Sequence, residues 1–236
     1  MSVLVICAVA AERYAVVRNL GSATPIEVAG LGGVTVDTAA GEVQVFDGGP
    51  GPVAAALSTA ALLTAGPPYD LVVSAGIAGG FRGRAEIGDI VLADQVIAAD
   101  QGVMTDEGFS TLRDLGLPGE GGYAVGNLEH RARLASGPYR LLAGDVLTLS
   151  CMTGTDARAS ELAARYPRAV AEAMEGYGVI EATRRSSERT GRDIPFTEIR
   201  AVSNIIGRRD RSTWNIPLAF GALADAMSTL LNEPLP

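Results

Sequence analysis

Val3-Leu4-Val5-Ile6-Cys7-Ala8-Val9 opens the chain with seven apolar residues in a row. A run this short, rich in β-branched side chains and without polar alternation, reads as a strand covered on both faces. Residues 11–20 follow as a helix stopped by Gly21. The same rhythm recurs outward. Residues 41–46 read as a strand and 51–65 as an alanine-rich helix ended by Gly66-Pro67-Pro68. Residues 71–74, 90–98, 140–150, 168–173 and 196–203 read as strands. Helices are expected over 156–166, 177–189 and 213–231. The Gly-rich stretch from Asp100 to about Arg140 reads as long loops with one short helix. Strand–helix alternation of this kind implies an α/β fold: one domain over 1–236, with a mixed, mostly parallel twisted sheet and helices on both faces.

Composition narrows function by exclusion. The 236 residues are 47% hydrophobic and 19% charged, as expected of a packed globule. A net charge of −8 without basic runs disfavours nucleic acid and anionic membranes as partners. Aromatics at 5% leave no platform for stacking bases. No run reaches the ~20 apolar residues of a membrane span. The start lacks a basic leader, and charge arrives at Glu12 and Arg13, so a cytoplasmic protein is expected. Cys7 and Cys151 read as reduced core thiols. One histidine, His130, offers no second imidazole for a metal, and its polar surroundings predict a solvated position. Neither metal nor organic cofactor is expected.

In parallel sheets ligands sit at the carboxyl ends of strands. Glu12 follows the first strand; it complements a helix dipole or acts as a general base. Gly49-x-Gly51-x-x-Ala54 matches a dinucleotide fingerprint loosely, but Asp70 precedes the next strand instead of ending it, so a tight glycine turn explains it as well. Ser74-Ala75-Gly76-Ile77-Ala78-Gly79-Gly80-Phe81 allows close backbone approach to a ligand. Glu86-Ile87-Gly88-Asp89 launches the next strand. Glu175, within Ala173-Met174-Glu175-Gly176, is a carboxylate in an apolar setting and needs a partner; a pair of sugar hydroxyls would serve. Asn204 closes Arg200-Ala201-Val202-Ser203-Asn204; it forms an Asx turn or reads a purine edge.

Taken in order, Ala10-Ala11-Glu12, Gly76-Ile77-Ala78-Gly79-Gly80 with Ile87-Gly88-Asp89-Ile90-Val91, Met174-Glu175-Gly176 and Arg200–Asn204 resemble the nucleoside phosphorylase and nucleosidase superfamily over almost the whole chain. Met174-Glu175-Gly176-Tyr177-Gly178 and Glu198–Asn204 followed by Arg209-Asp210 resemble the futalosine hydrolases, enzymes of an alternative menaquinone pathway. Methylthioadenosine/S-adenosylhomocysteine nucleosidases are related. The resemblance implies N-glycosidic hydrolysis. Glu12 would activate water, Glu175 would bind the ribose hydroxyls, and Met174 would pack on the sugar. Asn204 stands where the adenine-specific enzymes carry an acid; it implies a 6-oxopurine, because an amide cannot protonate adenine. Ile77 replaces a serine near the attacking water, and backbone N–H groups beside Gly76 are the expected substitute. Cys151-Met152-Thr153 would face the base. Phe81 and the loop 102–109, ending in Phe109, would face the 5′ side, where futalosine carries a carboxyphenyl ketone. Arg82, Arg84, Arg208 and Arg209 are all candidates for that carboxylate.

Two other readings remain open. A phosphorylase acting on inosine-like nucleosides requires a phosphate cradle, and the first strand end offers only Arg13 beside the repelling Glu12. A non-catalytic nucleoside-binding module has no need of a water-activating carboxylate. Relatives are commonly dimers whose partner loop completes the 5′ pocket, so a homodimer or higher homo-oligomer is expected.

Overall fold

The computed structural model describes residues 1–117 and 121–234. Its elements alternate largely as the pattern predicts: β1 (Ser2–Cys7), α1 (Ala10–Val17), β2 (Thr24–Val28), β3 (Leu31–Thr38), β4 (Gly41–Asp47), α2 (Pro52–Ala65), β5 (Leu71–Gly80), β6 (Ile90–Ala98), β7 (Gly102–Thr105), β8 (Gly108–Thr111), β9 (Gly122–Ala124), α3 (Leu128–Leu134), β10 (Leu141–Thr148), α4 (Asp156–Arg165), β11 (Ala169–Ala173), α5 (Gly176–Thr190), β12 (Phe196–Ile205) and α6 (Ile216–Leu231).

One sheet of ten strands runs β11-β10-β6-β12-β5-β1-β4-β3-β2, with β9 added on β6. The pairs β1–β4, β1–β5, β5–β12, β6–β10 and β10–β11 are parallel. The pairs β2–β3, β3–β4 and β6–β12 are antiparallel, so the sheet is mixed. Its twist carries it further than an open sheet. β11 also pairs with β5, setting Ala171 against Gly80 and Glu172 against Gly79, so five strands close into a ring. That closure brings the ends of β5, β11 and β12 together.

β1 is buried on both faces, as its composition requires. Val3, Val5 and Cys7 pack toward α1 and α6 with Val16, Leu223 and Met227. Leu4 and Ile6 pack the other way, with Ala55 of α2 and Val179 of α5. Among the described residues no helix is long and apolar enough to cross a membrane.

The stretch after Asp100 differs from the expectation of loops around one helix. The helix is there as α3, but β7 and β8 form a separate hairpin and β9 joins the main sheet. The hairpin turn Asp106-Glu107 and its exposed strands lack the buried alternating face that would have announced them. His130 is a second correction: it is 4% exposed, its Nδ1 3.2 Å from Thr197 Oγ1. Asn127 caps α3 by accepting from Glu129 N and His130 N, and that start turns His130 inward. Burial, with Arg133 nearby, pulls its pKa down to about 4. Cys7 is buried as expected; Cys151 is exposed, and both are free thiols.

Candidate active site

The centre of the site lies beside Gly76 in β5. A Cβ built there would stand 2.5 Å from Glu12 Oε1 and 2.7 Å from Arg200 Nη1. Only glycine lets a carboxylate from the first helix and a guanidinium from the last strand meet over that backbone.

Glu12 sits in the first turn of α1, whose N-cap Val9 supplies no side-chain cap. Its carboxylate instead accepts hydrogen bonds from Ala8 N at 2.9 Å and Ile77 N at 2.8 Å. It is 4% exposed. Burial pushes its pKa up, offset in part by Arg200 and the Ile77 N–H, while Glu175 pushes it further up. A carboxylate so raised is a better base for water than an ordinary surface glutamate.

Glu175 is the N-cap residue of α5, directly after β11. Its Oε2 accepts from Arg200 Nη1 at 3.2 Å and its Oε1 from Gly51 N at 3.2 Å. The sequence alone assigned this carboxylate no partner in the chain; the structure supplies two. Gly51, at φ 90°, adopts a backbone that favours glycine, and its N–H serves a carboxylate.

Arg200, to which the sequence assigned no role, pairs with Glu175 and points to the same spot beside Gly76 as Glu12. It is fully buried, donates from Nε to Glu198 Oε1 at 2.8 Å and from Nη2 to Ser74 Oγ at 2.9 Å. Glu198 is equally buried, and its Oε2 has no partner among the described residues. Three carboxylates around one guanidinium hold its pKa well above the usual arginine value, and it stays charged. The signal was there: Glu198 and Arg200, two residues apart, share one face of a strand whose near-continuous burial would leave a charge unsolvated unless it is paired.

The opposite wall is built from β12 and β11. β12 bulges at Ser203, where the partner of Ala78 is Val202 and that of Gly79 is Asn204. A bulge re-aims the next side chain. Ser203 Oγ stands 3.2 Å from Ala78 O and 2.9 Å from Asn204 Oδ1. A hydroxyl has one proton to give, so either orientation of the Asn204 amide finds a partner there. Across Gly79 lies Glu172, which sequence reasoning missed. It is wholly buried and accepts from Thr153 N at 2.9 Å and Thr153 Oγ1 at 2.6 Å, with burial raising its pKa. A lone acid in the strand Ala169–Ala173 was the available clue. It ties down the loop carrying Met152 and Thr153. Met152 and Met174 are half-buried.

Other expected residues are placed elsewhere. Phe81 is 2% exposed and packs with Leu147, Leu149 and Ile206 in the core behind β5. Phe109 stands on the β7–β8 hairpin under the Arg165 guanidinium, 4.3 Å from its ring centre. Of the backbone N–H groups in the glycine turn, that of Ile77 is taken by Glu12. Arg84 spends its guanidinium on the carbonyls of Ala163, Tyr166 and Ala169, each at 2.8 Å, and has no fork left for a ligand. Arg13 is bound to Asp47 at 2.9 Å, which removes the one cation at the first strand end from a phosphate cradle. No group of metal-ligating side chains occurs among the described residues.

Comparison with known proteins places the chain. The model of the phosphorylase superfamily matches residues 2–232. A futalosine hydrolase of Streptomyces coelicolor is 44% identical over 98% of this chain and 95% of its own. The solved methylthioadenosine/S-adenosylhomocysteine nucleosidase of Colwellia psychrerythraea, in complex with adenine, superposes with a TM-score of 0.78 at 23% identity, covering 100% of this chain and 98% of that one. The futalosine hydrolase of Helicobacter pylori superposes at 0.79 with 15% identity, covering 98% and 97%. The last two establish the fold; the first carries the relationship in sequence. The chain belongs to the phosphorylase superfamily and, within it, to the futalosine hydrolases.

Proposed function

We propose that the protein hydrolyses the N-glycosidic bond of futalosine, releasing hypoxanthine and dehypoxanthine futalosine for menaquinone synthesis. The observation that carries the reading is the convergence beside Gly76 of Glu12 and of Arg200 with its paired Glu175.

The C1′–N9 bond stretches first, leaving positive charge on the sugar. Glu12 takes the proton of a water placed over Gly76, and Arg200 Nη1, aimed at the same point, holds the oxygen of that water. This gives the role of the missing serine hydroxyl at Ile77 to a guanidinium. Glu175 binds the 2′ and 3′ hydroxyls, and its charge offsets the oxocarbenium-like sugar. The departing base takes a proton from solvent at N7, and Asn204 meets its edge, accepting from that N7–H and donating to O6 of the 6-oxopurine. The Glu172–Thr153 clamp keeps the loop at Met152 in place under the base.

The phosphorylase reading loses support, because Arg13 is bound to Asp47 and the Gly51 N–H is bound to Glu175. We read the protein as a cytoplasmic homodimer. Val53 and Leu57 of α2, 71% and 69% exposed, and Met104 of the hairpin, 60% exposed, are apolar surface for a second copy. Incubation with futalosine, inosine or methylthioadenosine, with and without phosphate, tests the activity. Hypoxanthine released from futalosine without phosphate is expected; a strict phosphate requirement would establish a phosphorylase instead. Sedimentation tests the dimer.

A further inference from the structure

We propose that the segment between β12 and α6 carries an oxyanion subsite, in which Arg209 and Arg211, set on Trp214, take the carboxylate of the substrate arm projecting from the cleft. This rests on the hydrolase reading and extends it to the recognition of the arm.

The segment spans the mouth of the site. It leaves β12 just after Asn204 and returns where Asn215 N donates to Ser203 O at 2.8 Å. Midway, Arg209 N donates to Gly154 O at 3.1 Å, next to Thr153. So it bridges the two walls built by Asn204 and by the Thr153 loop. Asp156 fastens it further by accepting from Arg208 N at 3.0 Å.

Its charge is unbalanced. The chain carries a net −8, and several arginines find acids, as in Arg140–Asp89 and Arg192–Asp70, while Arg18, Arg82, Arg189 and Arg208 are exposed with no ion pair among the described residues. Arg209 and Arg211 are exposed and form no ion pair among the described residues. The acid between them, Asp210, is turned to its own loop, with Oδ1 accepting from Ser212 N at 2.9 Å and Ser212 Oγ at 2.7 Å. Asp156 takes a backbone N–H and no guanidinium.

The two side chains are also arranged. Their guanidinium carbons lie 5.2 and 5.9 Å from the ring centre of Trp214, the single tryptophan of the chain. Contact with the ring restricts each arginine while leaving its N–H donors free for a planar carboxylate. What sets Arg209 and Arg211 apart from the other unpaired arginines is that both are held on one ring, on a segment bridging the two walls of a nucleoside cleft, an arrangement suited to an anion on the ligand. Arg84, spent on carbonyls, is no competitor. Arg211, absent from the candidates read from sequence, joins Arg209.

The test uses Arg209→Met and Arg211→Met, singly and together, because methionine keeps the contact with Trp214 and removes only the charge. Steady-state hydrolysis of futalosine is compared with that of inosine, which has no carboxylate. The expected result is a rise in KM for futalosine of roughly tenfold per arginine, with kcat little changed and inosine kinetics as in the wild type. Raising ionic strength should weaken wild-type use of futalosine and not of inosine. Equal losses on both substrates would reduce the arginines to a structural role and overturn the proposal, as would an unchanged KM for futalosine. If the subsite serves free phosphate, added phosphate will stimulate both substrates through these arginines, and the proposal is also wrong. A wild type that cleaves inosine well with no preference for futalosine refutes the subsite alone. One inert toward both refutes the hydrolase reading and the subsite with it.

Discussion

Replacing Gly76 by alanine adds one methyl group where the site has no room. The new Cβ would stand 2.5 Å from Glu12 Oε1, 2.7 Å from Arg200 Nη1 and 2.9 Å from Glu12 Cδ. Ordinary contact begins at about 3.4 Å, so Glu12 must withdraw by roughly 0.9 Å. It is not a loose end: Ile77 N holds it at 2.8 Å and Ala8 N at 2.9 Å. Arg200 is fixed by Glu175, Glu198 and Ser74. Displacement of a catalytic pair by about 1 Å costs on the order of 100-fold in kcat. Overpacking costs about 1–3 kcal/mol, against which the lower entropy of an unfolded alanine returns about 0.5–1 kcal/mol, so a net destabilisation near 1 kcal/mol is expected. Activity therefore falls far more than stability. Hypoxanthine release measures the first and urea denaturation the second. Gly32→Ala on β3 is the control, since a Cβ there meets nothing within 4 Å. A Gly76→Ala enzyme with wild-type kcat would show that water is not activated over this glycine.

Glu12→Gln keeps the shape of the cluster and removes the base; kcat should fall about 10²–10⁴-fold while product binding changes little, by calorimetry. Because burial raises the pKa of Glu12 and the base must be ionised, kcat/KM in the wild type should fall with acid at a pH above the ordinary carboxylate value. A profile that stays flat down to the ordinary carboxylate range would argue against Glu12. Asn204→Asp should weaken cleavage of 6-oxopurine nucleosides and open some cleavage of adenine nucleosides; unchanged selectivity in a substrate panel would place base reading elsewhere. His130 titrates near 4 when folded and near 6.5 when unfolded, so its contribution to stability is complete above pH 6.5 and is lost as pH falls toward 4. The loss amounts to up to about 3 kcal/mol. His130→Gln should flatten the pH dependence of Tm over that window; an identical slope would remove histidine as its cause.

Local pattern carried much of this protein. The unbroken apolar run at β1, the helix after it and the glycines beyond β5 are properties of neighbouring residues, and burial on both faces follows from composition alone. Glu12, Glu175 and Asn204 could be nominated because each stands at a strand end, where ligands collect in such sheets. Contacts between distant segments were not legible. Nothing near Glu175 in the chain reveals that Gly51, 124 residues away, donates to it, or that Arg200, 25 residues away, pairs with it. Glu172 drew no notice in the sequence and His130 read as a surface histidine; ring closure between β11 and β5 and the packing of α3 buried them. Partners across a sheet are chosen by register and twist, which depend on the whole chain. The sequence could therefore nominate the reacting groups, while only the tertiary structure decided which charges meet, which are neutralised, and which arginines at the mouth stay free.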